Sequence, residues 1–238
     1  IGEIILVVIG ILLALQINTW SEAWKSAIQE AAFYTDVLGD LEKDSIQLDY
    51  IFHFHTKRIE YLDTLLTYIR NPDKEMGIEK FGMHVEPLYY EESATNYSTS
   101  FESAKTSGAF HNFKNKALLK DLTEYYTNFI LIESNINSIT QVITNQFEPL
   151  MSSLSLGYLN PKTGSKVIAE NSNKMFYEKI ASIKDNRNID IEYNGLLQDP
   201  RFESYVVGDM GRTFNLIAKI TSRQKNLTYI KNKILTGK

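Results

Sequence analysis

The chain has 238 residues, 43% of them apolar, which is enough for one membrane segment and one globular domain. Cysteine is absent, which excludes a disulfide framework, a thiolate nucleophile and a Cys-based metal site. The net charge is −4, and the part beyond Trp24 holds all 25 Lys and Arg against 27 of the 29 Asp and Glu. Its surface is therefore mixed and near neutral, with no electrostatic footprint for nucleic acid.

The first predicted element is residues 1–24, read as a membrane helix with its interface. Positions 4–17 supply 14 residues, 13 of them non-polar. A bilayer core of ~30 Å asks for about 20, so residues before Ile1 are expected to complete the span. The only tryptophans, Trp20 and Trp24, stand one helical turn apart just past the apolar run, where interfacial aromatics belong. Two readings compete. Six Ile and two Val before Asn18 also suit a buried parallel strand. A cleaved signal peptide would need a basic n-region, which is not visible, and its small-x-small candidate, Ser21-Glu22-Ala23, is followed by Trp24. Within the segment, Gly10 and Ala14 form a small-xxx-small step that lets helix backbones approach, and Gln16 and Asn18 mark the polar boundary. Glu3 lies ~20 Å from Gln16 along the axis, within the lipid layer or at its far face. An acid there points to a partner or a water-filled cavity, or else snorkels to the headgroups. The expected partners are the lipid bilayer and, through Glu3, Gly10 and Ala14, other membrane proteins or a second copy.

The stretch GEIILVVIGILLALQINTW resembles the opening of a bacterial family of membrane-anchored proteins of unknown function, with the pattern GEI-x-LVVIGIL-x-ALQIN-x-W. A second block is similar to the same family: Ser100-Phe101-Glu102-Ser103-Ala104-Lys105-Thr106-Ser107-Gly108, then Asn115, Leu118 and the pair Tyr125-Tyr126. That matches the family's S-[YF]-E-x-x-x-x-S-G … N-x-x-L … YY. The resemblance implies a single-pass protein of the bacterial inner membrane. It further implies a short basic cytoplasmic N-terminus and the bulk of the chain in the periplasm as a helical domain. It brings no catalytic residues.

From 26 to 70 the period is helical. One seam reads Leu38, Ser45, Phe52, Ile59, Leu66; the other reads Leu41, Leu48, His55, Leu62, Ile69. Asn71-Pro72 ends the helix, and Gly39 is the expected bend. Continuous with the membrane segment, it would run ~100 Å. Residues 71–96 are punctuated by Pro72, Gly77, Gly82 and Pro87 but rich in apolar side chains, which predicts a packed cap or a short strand pair within an irregular region at about 71–112. A short helix through 101–106 closes at Gly108, and Asn115 caps the next. That next helix is the clearest: Leu118, Tyr125, Ile132, Ile139, Gln146, Ser153 on one seam and Leu122, Phe129, Ile136, Ile143, Leu150 on the other, with a kink or an end at Pro149. A turn follows at 157–164, a shorter helix at 172–184 carrying Phe176, Ile180 and Ile183, and a loop at 185–195. Asp199-Pro200 opens the last helix, on which Phe202, Val206, Met210, Ile217, Ile220, Leu227, Ile230 and Ile234 recur. The expectation is all-α. One N-terminal transmembrane helix continues into an extracytoplasmic antiparallel four-helix-like bundle over 25–238.

Chemistry is sparse. His53 and His55 are two apart on a helix and point apart, and His55, in an apolar seam, reads as a satisfied core histidine. His84 and His111 fall in the irregular region with Glu91, Glu92 and Glu102, without a metal-ligand spacing. No nucleophile elbow, zinc-protease or phosphate-loop motif occurs. No enzyme, cofactor or metal is expected. The best candidate contact region is the apolar stretch 81–97 leading into the family-like block. Its aromatics are Phe81, Tyr89, Tyr90, Tyr97 and Phe101, and its polar handles are Lys105 and Ser107. The expected role is a non-catalytic interaction or scaffold subunit of a bacterial envelope complex, with a ligand-sensing extracytoplasmic receptor domain as the alternative.

Overall fold

The computed structural model describes residues 2–154, 175–176, 178–180, 182–184, 186 and 193–237. Among them every regular element is helical and no strand occurs, so the chain is all-α. Helix α1 (Gly2–Ile69) runs unbroken through Gly39. It ends where Asn71 N–H reaches back to the Tyr68 carbonyl at 3.2 Å and Pro72 brings no N–H of its own. Then come α2 (Ile78–Val85) with a 3₁₀ turn (Glu86–Tyr89), α3 (Thr99–Thr106) with a second 3₁₀ turn (Ala109–His111), α4 (Lys116–Thr127) and α5 (Ile130–Val142). A π-turn (Ile143–Phe147), α6 (Glu148–Met151), α7 (Tyr193–Leu197) and α8 (Pro200–Thr236) complete the described chain.

The chain divides into two compact units: Ile1–Ile46, Asn96–Asn128 and Lys225–Lys238 form unit 1, and Gln47–Thr95 with Phe129–Gln224 form unit 2. The core of unit 1 gathers Phe33, Val37 and Leu41 of α1 with Phe101, Phe113, Leu118 and Leu122. That of unit 2 gathers Ile51, Leu62 and Leu65 with Phe81, Val85, Ile132, Ile139, Phe147, Phe202 and Val206.

Several sequence expectations hold at the level of single residues. Gly108 takes φ 75°, the left-handed conformation that stops α3. Asn115 Oδ1 accepts from Leu118 N–H at 3.0 Å and starts α4. Arg201 N–H donates to Asp199 Oδ1 at 2.8 Å, where α8 opens on Pro200. The apolar members of both seams between Leu118 and Leu150 are buried, and Gln146 and Ser153 are exposed.

Others are corrected. The stretch 78–89 is helix and 3₁₀ turn, not a strand pair. Phe81, Val85 and Leu88 bury at helical spacing, while Met83 is exposed. The clearest helix is broken at Asn128–Phe129, and its turn widens to π just before Pro149. In α1 the second seam runs through Val37, Asp44, Ile51, Arg58 and Leu65, one position before the predicted row, whose members are only half-buried. Two charged members hid it from an apolar count. The predicted turn at 157–164 lies outside the described residues, as do much of the helix at 172–184 and most of the loop at 185–195, whose last three residues are helical in α7.

Candidate functional site

Three groups of residues stand apart from ordinary core packing. The first is the opening of α1. No described side chain between residues 2 and 24 is buried: Leu6 is 75% exposed and Trp20 73%, with Ile4, Ile9, Leu12, Leu15 and Trp24 similarly open. Glu3, Gly10, Ala14 and Gln16 lie exposed on the same helix, and a Cβ on Gly10 would meet nothing. Asn18 Nδ2 donates to Glu22 at 3.1 Å and Thr19 Oγ1 to the Leu15 carbonyl at 2.9 Å, both along the helix itself. A continuous apolar surface of this length is not tolerated against water in a monomer and calls for an apolar neighbour. The helix is long and apolar enough to cross a membrane.

The second group ties α3 and α4 to α1 inside unit 1. The first N–H groups of a helix lack partners, and here α1 supplies them. Asp40 Oδ2 accepts from Ser100 N–H at 2.9 Å in the first turn of α3, where Ser98 makes no side-chain cap. Glu30 accepts from Lys114 and Asn115 N–H at 2.8 and 2.9 Å, immediately before α4. Both carboxylates are buried and lie at positive helix ends. Burial first, then the Glu30 charge, raises the Tyr34 hydroxyl pKa well above its ordinary value. Further along, Tyr125 donates to the buried Asp44 carboxylate. Phe101 stacks on Tyr126 at 4.7 Å and on Phe110 at 5.2 Å, and Phe110 and Phe113 close on Phe33. Ser100, Phe101, Gly108, Asn115, Tyr125 and Tyr126, the family-like block, are thus the residues that lay α3 and α4 on α1.

The third group is a buried polar cluster in unit 2. Arg58, 2% exposed, sends Nε and Nη2 to Asp209 at 3.2 and 2.6 Å. Its remaining donors reach the Pro87, Leu88 and Tyr90 carbonyls at 3.5, 3.3 and 2.8 Å. Asp209 also accepts from Tyr205 Oη at 2.8 Å and Thr213 Oγ1 at 3.1 Å. Burial opposes the Arg58 charge, but Asp209, with Tyr205 and Glu91, outweighs it and the guanidinium pKa rises. Burial, then Asp209, raises the Tyr205 hydroxyl well above its ordinary value. Every guanidinium nitrogen is thus engaged within the protein, and the cluster fixes the Glu86–Tyr89 turn on α1 and α8. Beside it, His55 Nε2 stands 3.1 Å from Glu91 Oε1 without a directed hydrogen bond, and His55 Nδ1 is buried with no partner. His55 is therefore a core histidine, as expected, but not a satisfied one. His84 is held by the Lys80 carbonyl at 2.7 Å, and no trio of metal-ligating side chains occurs among the described residues.

The family of unknown function DUF6090 matches residues 3–150. The chain belongs to that family. No curated protein and no solved structure matches it. The DUF6090 match takes in the apolar opening of α1, the α3–α4 block and Arg58, and ends before Asp209, the partner Arg58 pairs with.

Of the predicted contact region, Phe81 (0% exposed) and Phe101 (2%) are core residues of units 2 and 1. Tyr89 is half-buried with its ring 4.7 Å from Phe147, and Tyr90 is half-buried too. Burial, then the Glu86 charge, raises the Tyr90 hydroxyl pKa. Tyr97 is half-buried in unit 1, Lys105 pairs with Glu102 at 3.4 Å, and Ser107 Oγ donates to the Ala104 carbonyl at 3.0 Å. Lys105 and Ser107 are exposed, and Lys105 Nζ lies 5.9 Å from the Phe101 ring centroid. Sequence reasoning missed Arg58, Asp209, Glu30 and Asp40. For the last two the sequence shows only acids on α1; that they face the start of α3, which has no side-chain cap of its own, and the residues just before α4 is a tertiary fact.

Proposed function

We propose that the chain is a non-catalytic, single-pass membrane-anchored interaction or scaffold subunit of a bacterial envelope complex. In this reading the bulk of the chain is a periplasmic four-helix-like bundle. One observation carries it: an exposed apolar helix surface from Ile4 to Trp24 that continues without a break into a packed helix. Such a junction transmits position, not chemistry. Glu3 and the Gly10/Ala14 face are the proposed contacts within lipid, where a buried acid and close backbones favour a helical partner. The family resemblance supplies the periplasmic orientation. The polar cluster of unit 2, with its donors consumed internally, supports rigidity over catalysis.

Mild detergent extraction from native membranes followed by native mass spectrometry tests this. The chain is expected together with other membrane proteins or a second copy. A lone monomer overturns the scaffold reading, and release into the soluble fraction by an alkaline wash overturns the anchor beneath it. The second reading, ligand sensing, draws on a cleft of about 540 Å³ in unit 2. It is lined by Asn145 and Gln146 of the π-turn with Pro149, Leu150, Pro200, Arg201 and Ser204.

A further inference from the structure

We propose that the loop at 107–116 is a second membrane contact that selects anionic phospholipid headgroups in the leaflet from which α1 emerges. The inference rests on the anchor reading above. It starts from how soon the folded part begins after Trp24. Ser26, two residues on, is ~3 Å further along the axis and Glu30 ~9 Å, while the headgroup layer is itself about 5–8 Å deep. Those two residues hold the loop. Ser26 Oγ donates to the Asn112 carbonyl at 2.9 Å, and Glu30 takes the Lys114 and Asn115 amides. With Phe110 and Phe113 packed on Phe33, the loop is pinned beside the first turns of α1 past the interfacial tryptophans.

Charge says what it meets there. Residues 103–116 contain Lys105, Lys114 and Lys116 and no acid. Of the nearest acids, Glu102 pairs with Lys105, Asp121 pairs with Lys233 and Glu30 is buried against backbone N–H groups, while Glu22 accepts only the neutral Asn18 amide, which leaves Lys25, Lys114 and Lys116 as the cations without an acidic partner among these. Lys116 Nζ donates to the Phe110 and His111 carbonyls at 2.7 and 2.9 Å, which shapes the loop and leaves its charge unneutralised. Exposed Lys25 adds one more cation at the same level as exposed Lys114. A pinned cationic loop at headgroup depth is matched to phosphate-bearing anionic lipid, and it loses little conformational freedom on contact.

The chain's two tryptophans report on it directly. The full chain is reconstituted in vesicles whose zwitterionic or anionic lipid carries brominated acyl chains, and Trp20 and Trp24 quenching is compared. Both lipids are expected to quench, the anionic one at several-fold lower mole fraction. Each lysine contributes up to roughly fivefold, reduced by salt. Lys114→Gln keeps the backbone bond to Glu30 and is expected to lower that preference, whereas Lys120→Gln, further along α4, leaves it unchanged. Equal quenching by the two lipids overturns the loop contact and leaves the anchor standing. So does a preference that Lys25→Gln abolishes but Lys114→Gln does not touch, or one that Lys120→Gln lowers as much. Absence of quenching by either lipid is the failure of the anchor itself.

Discussion

Between Gly2 and Trp24, α1 buries no described side chain. Between Glu30 and Leu65 the same helix buries five ionisable ones: Glu30, Asp40, Asp44, His55 and Arg58. The first stretch is apolar and turned outward, the second charged and turned inward, which is the inverse of the usual arrangement in water. The difference teaches that the two stretches are specified by different forces. Apolar area alone decides the surroundings of the first, and it fixes no register. The second is fixed by directed pairs, because each buried carboxylate or guanidinium is tolerable only with its partners in place. In unit 1 those partners are backbone N–H groups and a tyrosine hydroxyl; in unit 2 they are a carboxylate and three carbonyls.

The sharpest way to break this contrast is at Arg58. Arg58→Met leaves Asp209 buried without its cation, and the expected loss is about 3–5 kcal/mol in denaturant unfolding followed in mild detergent. Arg58→Met combined with Asp209→Leu is expected to recover at least half of it. A single-variant loss under ~1 kcal/mol would mean that register is set by the apolar positions after all. Glu30→Gln comes next, at about 1.5–3 kcal/mol, since it weakens two charge-assisted bonds to backbone N–H groups. Faster hydrogen exchange confined to residues 112–118 would mark the loss as capping, whereas a uniform change across unit 1 would refute it. The smallest effect is at His84, outside the membrane segment. Burial holds its pKa below the ordinary 6.5, while the Lys80 carbonyl pulls upward and the Lys80 charge downward. The unfolded chain therefore binds the proton more readily. This contribution is present above the ordinary value and is lost as pH falls through the depressed one. Solvent screening keeps it small. His84→Gln should flatten the pH dependence of stability below neutrality, and superimposable profiles would exclude the assignment.

What was legible in the sequence follows the same division. The opening of α1 declares itself by composition, and the seams from Leu118 to Leu150 are readable because nearly every inward position is apolar. Caps at Gly108, Asn115 and Asp199 are readable because each is a local rule. The inner seam of α1 is not, since Asp44 and Arg58 interrupt it and the neighbouring row through Leu38, Phe52, Ile59 and Leu66 looks more hydrophobic. On α8 the inward row runs through Asp209, Thr213 and Arg223, so Met210 and Ile217 were preferred although both are only half-buried. The pairing of Arg58 with a carboxylate 151 residues away has no local signature at all. Phe81 and Phe101 read as contact residues for the converse reason: both are core, and apolar side chains in a sequence do not by themselves distinguish core from contact.

The carboxylates of Glu30 and Asp40 have a consequence for biosynthesis. They are ten residues apart, so they meet their distant amides only once α1 has wound to its full pitch, ~15 Å between them. Helix α3, eight residues long, is too short to persist alone. Helix α1 leaves the ribosome before residues 99–127, so both acceptors are already in place when Ser100 and Asn115 are made.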